Sequence, residues 1–253
     1  MKATQRAGGS YYIDLFSGPG QCCLDDGTII DGSPLIAAKA TPPFARQFWV
    51  DADPRNAASL RAHRDDFPNR GIEVIQGDAN LAIDGILRLI PTTQPALAFL
   101  DPEGSELAWK TICKIAAHKR PEYLKIEQFI LFATDTGIVR FFPHDHKKMI
   151  YADKLDRMLT DPAAWRALYA LRDTLTAAEF RRRLLSLYVN GLRCLGYQHV
   201  PDARLVRRPD GRPLYFMVFA TDHPAGESIM TAALNAVDAT TRQMTFLPYQ
   251  QRY

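Results

Sequence analysis

The sequence predicts an α/β fold built on a doubly wound, mostly parallel sheet with an antiparallel C-terminal hairpin. Three observations lead there. Strand-like and helix-like runs alternate between residues 11 and 134, and repeated β-α units make parallel sheets with helices on both faces. "PALAFLDP" (95–102) is almost wholly apolar, as a strand covered on both faces should be. Pro209-Asp210-Gly211 sits between two apolar runs, a hairpin signal.

Each element follows in order. "YYIDLF" (11–16) reads as the first strand. "GSPLIAAKA" (32–40) starts a helix, with Ser33 as its N-cap and Pro34 at the first helical position. "ARQFWVD" (45–51) is the second strand, and "PRNAASLRAHRDDF" (54–67) has helical spacing. "IEVIQGD" (72–78) is the third strand, followed by the helix-like "NLAIDGILRLI". The apolar fourth strand leads to the helix "LAWKTICKIAAHK" and a fifth strand, "IEQFILFAT" (126–134). The rhythm then breaks. Residues from about 135 to 195 read as a less regular, mainly helical elaboration that includes "AAEFRRRLLSLYVNGLRCLG". "HVPDARLVRRPDGRPLYFMVFATD" carries the hairpin, and "AGESIMTAALNAVD" is a last helix. With no internal repeat and no low-complexity linker, residues 1–253 read as one domain.

Bulk properties narrow the classes. The 253 residues are 47% hydrophobic, ordinary for a globular protein. No apolar run approaches the roughly 18 residues of a membrane span, and "MKATQRAGGS" has no signal-peptide core. A cytoplasmic protein without a membrane partner is expected. Cys22, Cys23, Cys113 and Cys194 form no CxxC pair, which suits reduced, partly buried thiols. Adjacent Cys22 and Cys23 read as small loop residues. His144 and His146 flank Asp145 without a third ligand at a defined spacing, so no metal is assigned. The net charge of +3 names no partner. Residues 1–150 carry 17 Lys and Arg against 18 Asp and Glu, while residues 151–253 carry 14 against 10. That asymmetry permits contact with a polyanion, and a solvated face is its commoner explanation.

The strand ends are more telling, because open parallel sheets bind ligands at the carboxyl ends of their strands. Strand 1 ends in Asp14, then Gly18 and Gly20; strand 2 in Asp51 and Asp53; strand 3 in Gly77-Asp78-Ala79-Asn80; strand 4 in Asp101-Pro102-Glu103-Gly104. Gly18-Pro19-Gly20 alone is an ordinary turn signal. The ordered set of acids favours a ligand. Glycines let a ligand approach the backbone. A carboxylate after strand 2 can accept both ribose hydroxyls, and one after strand 3 can accept an adenine amine hydrogen. No GxxxxGK[ST] and no GxGxxG opens a helix after strand 1, so a nucleoside pocket without a phosphate cradle is expected.

This order of residues resembles class I S-adenosylmethionine-dependent methyltransferases, with a Rossmann-like sheet. "DLFSGPG", "GSPLIA" and "FLDPEG" are similar to the three-Cys-motif partner family over roughly residues 11–220. The resemblance implies that Asp14, Gly18 and Gly20 cradle the methionine part of S-adenosylmethionine, with Phe16 in the same set. It implies Asp51 and Ala52 at the ribose, and Asp78 and Ala79 at the adenine. Asp101, Pro102 and Glu103 then form the catalytic group.

"DLFSGPG" also resembles the opening of cytosine-C5 DNA methyltransferases, but no cysteine here follows a proline, which excludes that chemistry. Exocyclic-amine methyltransferases carry an acid or amide, two prolines and an aromatic at this place. Asp101-Pro102 keeps the half that accepts amine hydrogens, and Glu103-Gly104 replaces the aromatic that stacks on a flipped base. Glu103 reads as a general base, a binder of a cationic amine, or a solvated residue of an Asp-Pro turn. An aromatic can come from elsewhere, such as Trp109, Phe141 or Phe142. Residues 140–148, "RFFPHDHKK", mix cations with aromatics as single-strand binders do, and are equally a surface-to-core loop. With Arg181, Arg182 and Arg183 they are the candidate nucleic-acid surface. The readings are a nucleic-acid methyltransferase, a small-molecule or peptide methyltransferase, and a non-catalytic S-adenosylmethionine-binding module.

Overall fold

The computed structural model describes residues 9–24, 26–119, 122–133, 138–143, 149–208 and 210–241. Strands β1 (Tyr11–Asp14), β4 (Arg46–Asp51), β5 (Ile72–Gln76), β6 (Ala96–Leu100) and β7 (Glu127–Ala133) are the five predicted strands. β8 (Arg204–Arg207) and β9 (Pro213–Ala220) are the predicted hairpin. They form one seven-stranded sheet in the order β5-β4-β1-β6-β7-β9-β8. The first five strands are parallel. β9 is inserted antiparallel between β7 and β8. The order reverses at β1, which lies between β4 and β6. A crevice therefore opens above the carboxyl ends of β1 and β6, the usual ligand position in such sheets.

The stretch between Gly20 and the first helix is not a plain loop. Gln21–Cys23 (β2) and Ile29–Asp31 (β3) pair as a two-stranded antiparallel ribbon, closed by Gly27 at φ +83°. Helix α1 (Ser33–Ala38) follows, and Gly32, not Ser33, is its N-cap. Ser33 is the first helical residue, which frees its hydroxyl for another partner. Helices α2 (Pro54–Asp65) and α3 (Ala79–Leu89) begin at Asp53 and Asp78, whose carboxylates accept the first free backbone N–H groups. Helix α4 (Trp109–Ala117) follows β6.

β6 alternates fully and partly buried residues along "ALAFL", so both faces of the sheet are covered. On one face Ile13, Phe48, Val50, Ala98, Leu100 and Ile130 pack beneath α3 and α4 in one large apolar cluster. On the other, Leu35, Ala38, Trp49 and Leu60 pack under α1 and α2. Leu131, Val206 and Met217 pack under Leu234 of α8 (Pro224–Thr241).

The predicted elaboration contains helices α5 (Ala152–Met158), α6 (Pro162–Ala170) and α7 (Ala177–Cys194). It joins the large cluster through aromatics: the Phe142 ring lies 5.8 Å from Trp165, 5.5 Å from Tyr169 and 5.1 Å from Phe180. No described helix is long and apolar enough to cross a membrane.

Candidate cofactor and acceptor site

Asp14 closes β1 and is fully buried. Its carboxylate accepts the Ser33 hydroxyl at 2.6 Å, the Tyr12 hydroxyl at 3.2 Å and the Phe16 N–H at 3.3 Å. The Ser17 hydroxyl donates to its carbonyl at 3.1 Å. Burial raises its pKa to about 6, against the lowering effect of these hydrogen bonds. Asp14 thus fixes the loop 15–17 and the start of α1 from beneath, and no ligand touches it without displacing them.

Gly18 is at φ +60°, where side chains are strained. A Cβ there would meet nothing within 4 Å, so the space above this backbone is open. Gly20, at φ +90°, is constrained differently: a Cβ would come within 2.9 Å of His63. Asp51 ends β4. Its Oδ2 accepts Gly18 N–H at 2.8 Å, and its Oδ1 accepts Asp53 N–H at 2.8 Å and the Asn56 amide at 3.2 Å. One carboxylate therefore ties the glycine loop to β4 and α2. With about four lone-pair positions, it retains capacity for a further donor. Phe16 and Asp51 are half-buried, and Ala52 is exposed.

Asp78 is exposed and caps α3 through Oδ1, which accepts from Asn80 N–H at 2.7 Å and Leu81 N–H at 3.3 Å. Its Oδ2 takes neither bond. Ala79 beside it is buried. Asn80, whose role the sequence did not disclose, links α3 to the segment after β6. Its Oδ1 accepts Ala108 N–H and the Thr111 hydroxyl, each at 2.8 Å, and its amide donates to Glu106 carbonyl at 2.8 Å. Glu106 Oε2 in turn accepts Gly104 N–H at 2.6 Å. The turn carrying Asp101-Pro102-Glu103 is thus held in place.

Asp101 follows β6 beside this crevice. By surface area it is exposed, yet enough protein lies around its carboxylate to desolvate it. Desolvation first, then the Asp14 and Glu103 carboxylates, push its pKa up to about 7. Among the described residues no donor hydrogen-bonds to it. Pro102 is buried and Glu103 exposed. Tyr215, near the start of β9, shares this neighbourhood: burial and then the Asp101 carboxylate raise its hydroxyl to about 12.

Several expectations fall elsewhere. Phe141 and Phe142 are 4% and 3% exposed, core residues rather than stacking surfaces. Trp109 packs edge-on to Tyr188 at 5.1 Å. Residues 144–148, with both loop histidines and both lysines, lie outside the described residues. Arg181 is half-buried, and Arg182 and Arg183 are exposed on the early turns of α7. The cysteines are less buried than expected: Cys22, Cys23 and Cys194 are exposed, with Cys22 and Cys23 on ribbon strand β2. A surface groove of about 380 Å³ lies between Pro201–Arg204, where β8 starts, and α8, away from these acids. It contains none of them.

No protein-family model matches the chain, and no curated protein matches it by sequence. Among solved structures, a Legionella pneumophila str. Philadelphia 1 protein of family model DUF519 is 14% identical, over 95% of this chain and 86% of that one, with a TM-score of 0.51. The methyltransferase domain of bacterial CtHen1-C is 14% identical over 87% and 93%, with a TM-score of 0.44. An rRNA methylase from Streptococcus thermophilus is 13% identical over 85% and 89%, with a TM-score of 0.37. At 14% identity the likeness to the Legionella protein concerns the fold alone, a mixed α/β sheet.

Proposed function

We propose that the chain is a class I S-adenosylmethionine-dependent methyltransferase acting on an amine or other heteroatom of a nucleic acid. One observation carries the reading. Asp51, Asp78 and Asp101 stand with the open Gly18 backbone around the switch point of a sheet whose one antiparallel strand is inserted next to last. The motif resemblance to the three-Cys-motif partner family adds to it.

The residues suit the cofactor. Open space above Gly18 admits a ligand against the backbone. The remaining acceptor position of Asp51 suits a ribose hydroxyl, and Asp78 Oδ2 suits an adenine amine beside Ala79. Asp14 acts beneath the methionine part by holding Phe16, Ser17 and Ser33. When bound, S-adenosylmethionine supplies a methyl group already activated on a sulfonium. The chain then needs to align an acceptor more than to deprotonate it. In this reading Asp101 accepts an amine N–H and so aims the nitrogen lone pair, with Pro102 fixing the backbone beside it. Its ionised carboxylate can take the proton that the methylated nitrogen sheds, and Glu103 can pass it to solvent. An exposed Glu103 beside Asp101 also favours a second reading, a small cationic amine as acceptor.

Calorimetry tests the cofactor. Wild type should bind S-adenosylmethionine, and Asp51→Ala should weaken binding about ten- to a hundredfold, roughly 1.5–3 kcal/mol. No binding by wild type, or equal binding by the variant, overturns the assignment. Neutralising Arg182 and Arg183 together should flatten the salt dependence of oligonucleotide binding by up to about two slope units if both meet phosphates. An unchanged slope favours the small-amine acceptor.

A further inference from the structure

We propose that Tyr215 is the aromatic platform on which a planar, amine-bearing heterocycle stacks, supplied by β9 in place of the aromatic missing after Asp101-Pro102. The inference rests on the methyltransferase reading and adds to it the acceptor's shape and a residue that holds it.

Strand direction carries the argument. β9 runs against β7 with Tyr215 opposite Ala133, the last residue of β7. The first residues of this antiparallel strand therefore lie at the carboxyl edge, where Asp101 leaves β6. Strand alternation puts both on one face. Phe99, Phe129 and Phe219 form a row across β6, β7 and β9, with ring centroids 5.5 and 6.5 Å apart. Asp101 is two residues beyond Phe99, and Tyr215 is four before Phe219. On this face Tyr215 packs against the cluster of Leu131, Val206 and Met217.

β6 and β9 flank β7, so two strand spacings, about 10 Å, separate the backbones bearing Asp101 and Tyr215. A flat ring fits between such side chains. The influence of the Asp101 charge on the Tyr215 hydroxyl agrees with this proximity. Tyr215 is half-buried, with its ring anchored, and among the described residues its hydroxyl makes no hydrogen bond. The rival aromatics are occupied: Phe141 and Phe142 by the core, and Trp109 by Tyr188.

The test compares wild type, Tyr215→Phe and Tyr215→Leu. Methyl transfer from labelled S-adenosylmethionine to single-stranded oligoadenylate, oligocytidylate and oligoguanylate is measured, with cofactor binding followed by calorimetry. Cofactor affinity should be equal in all three. Tyr215→Phe should keep the acceptor KM within about threefold, and Tyr215→Leu should raise it about ten- to a hundredfold, the loss expected for one stacked base. A wild-type KM in Tyr215→Leu overturns the inference, as does equal damage in Tyr215→Phe, which would assign the role to the hydroxyl. A wild type that binds cofactor but neither methylates nor binds any oligomer overturns it while leaving the methyltransferase reading in place. Absence of cofactor binding overturns both.

Discussion

Two aspartates at opposite ends of the same sheet's strands show opposite provision. Asp222 follows β9 at the edge where β7 begins, and its side chain is 3% exposed. Burial alone would raise its pKa, yet it is held below the usual carboxylate range by Lys125 N–H at 3.1 Å, the Lys125 ammonium at 3.1 Å and Gln198 N–H. Lys119 adds a charge at 3.7 Å. Asp101, at the other edge, has two carboxylates as neighbours and no donor among the described residues, and its pKa climbs to about 7. One acid is satisfied by the fold. The other is left for something the fold does not contain, which is the pattern expected of a functional site.

The sharpest way to break the comparison is to remove each acid. Asp101→Ala should lower turnover about a thousandfold or more, some 4 kcal/mol in barrier height, while calorimetric cofactor binding persists; full activity on the true acceptor would return Asp101-Pro102 to an ordinary turn. Asp222→Ala should destabilise by about 3 kcal/mol in urea unfolding, because the Lys125 ammonium, 9% exposed, loses its carboxylate partner and is left with the Gly196 carbonyl. A loss under 1 kcal/mol would mean that this edge does not depend on the pair.

Protonation sharpens the contrast further. A cationic sulfonium beside Asp101 and Asp14 favours their ionised forms, so S-adenosylmethionine should bind roughly five- to tenfold tighter at pH 8 than at pH 6, with proton release. S-adenosylhomocysteine, which lacks the charge, should show a flatter profile, and equal profiles for the two would contradict this placement of Asp101. The smallest effect concerns stability. A carboxylate whose folded pKa is raised, as for Asp101, stabilises fully below about 3.8 and loses that contribution as pH rises through about 7. Asp101→Asn stays neutral, so its Tm should exceed wild type by roughly 2 °C at pH 8 and match it near pH 4. Asp222, with its lowered pKa, has the reverse profile: its stabilisation is present at neutral pH and is lost on acidification. A Tm gain for Asp101→Asn at pH 4 and none at pH 8 would refute the assignment.

Local pattern carried the strands, their polar ends and the hairpin, because hydrophobic alternation, Asp placement and a Pro-Asp-Gly turn are all written within a few residues. What escaped is whatever depends on neighbours distant in the chain. Ser33 matched an N-cap, and only the fold shows that Gly32 holds that place while the Ser33 hydroxyl reaches Asp14. Asp14 looked like a ligand contact, and tertiary packing buries it. Phe141 and Phe142 sat in a polar stretch that suggested a surface, yet both fill the core. Asn80 is one of several polar residues after β5, with no local mark of its link to Thr111. Tyr215 lies in "PLYFMVFA", where alternation marks one face but cannot say which strand end lies beside it.

The insertion of β9 between β7 and β8 also bears on how the chain matures. The edge of β7, with its apolar "QFILFA", finds its partner only in residues made roughly ninety positions later, since Gln128 pairs with Ala220. Until then that edge presents unpaired backbone groups, a template for pairing with other chains. Contacts so distant in sequence also form slowly. The strand that completes the sheet is thus the one whose late arrival leaves a nascent chain most open to aggregation.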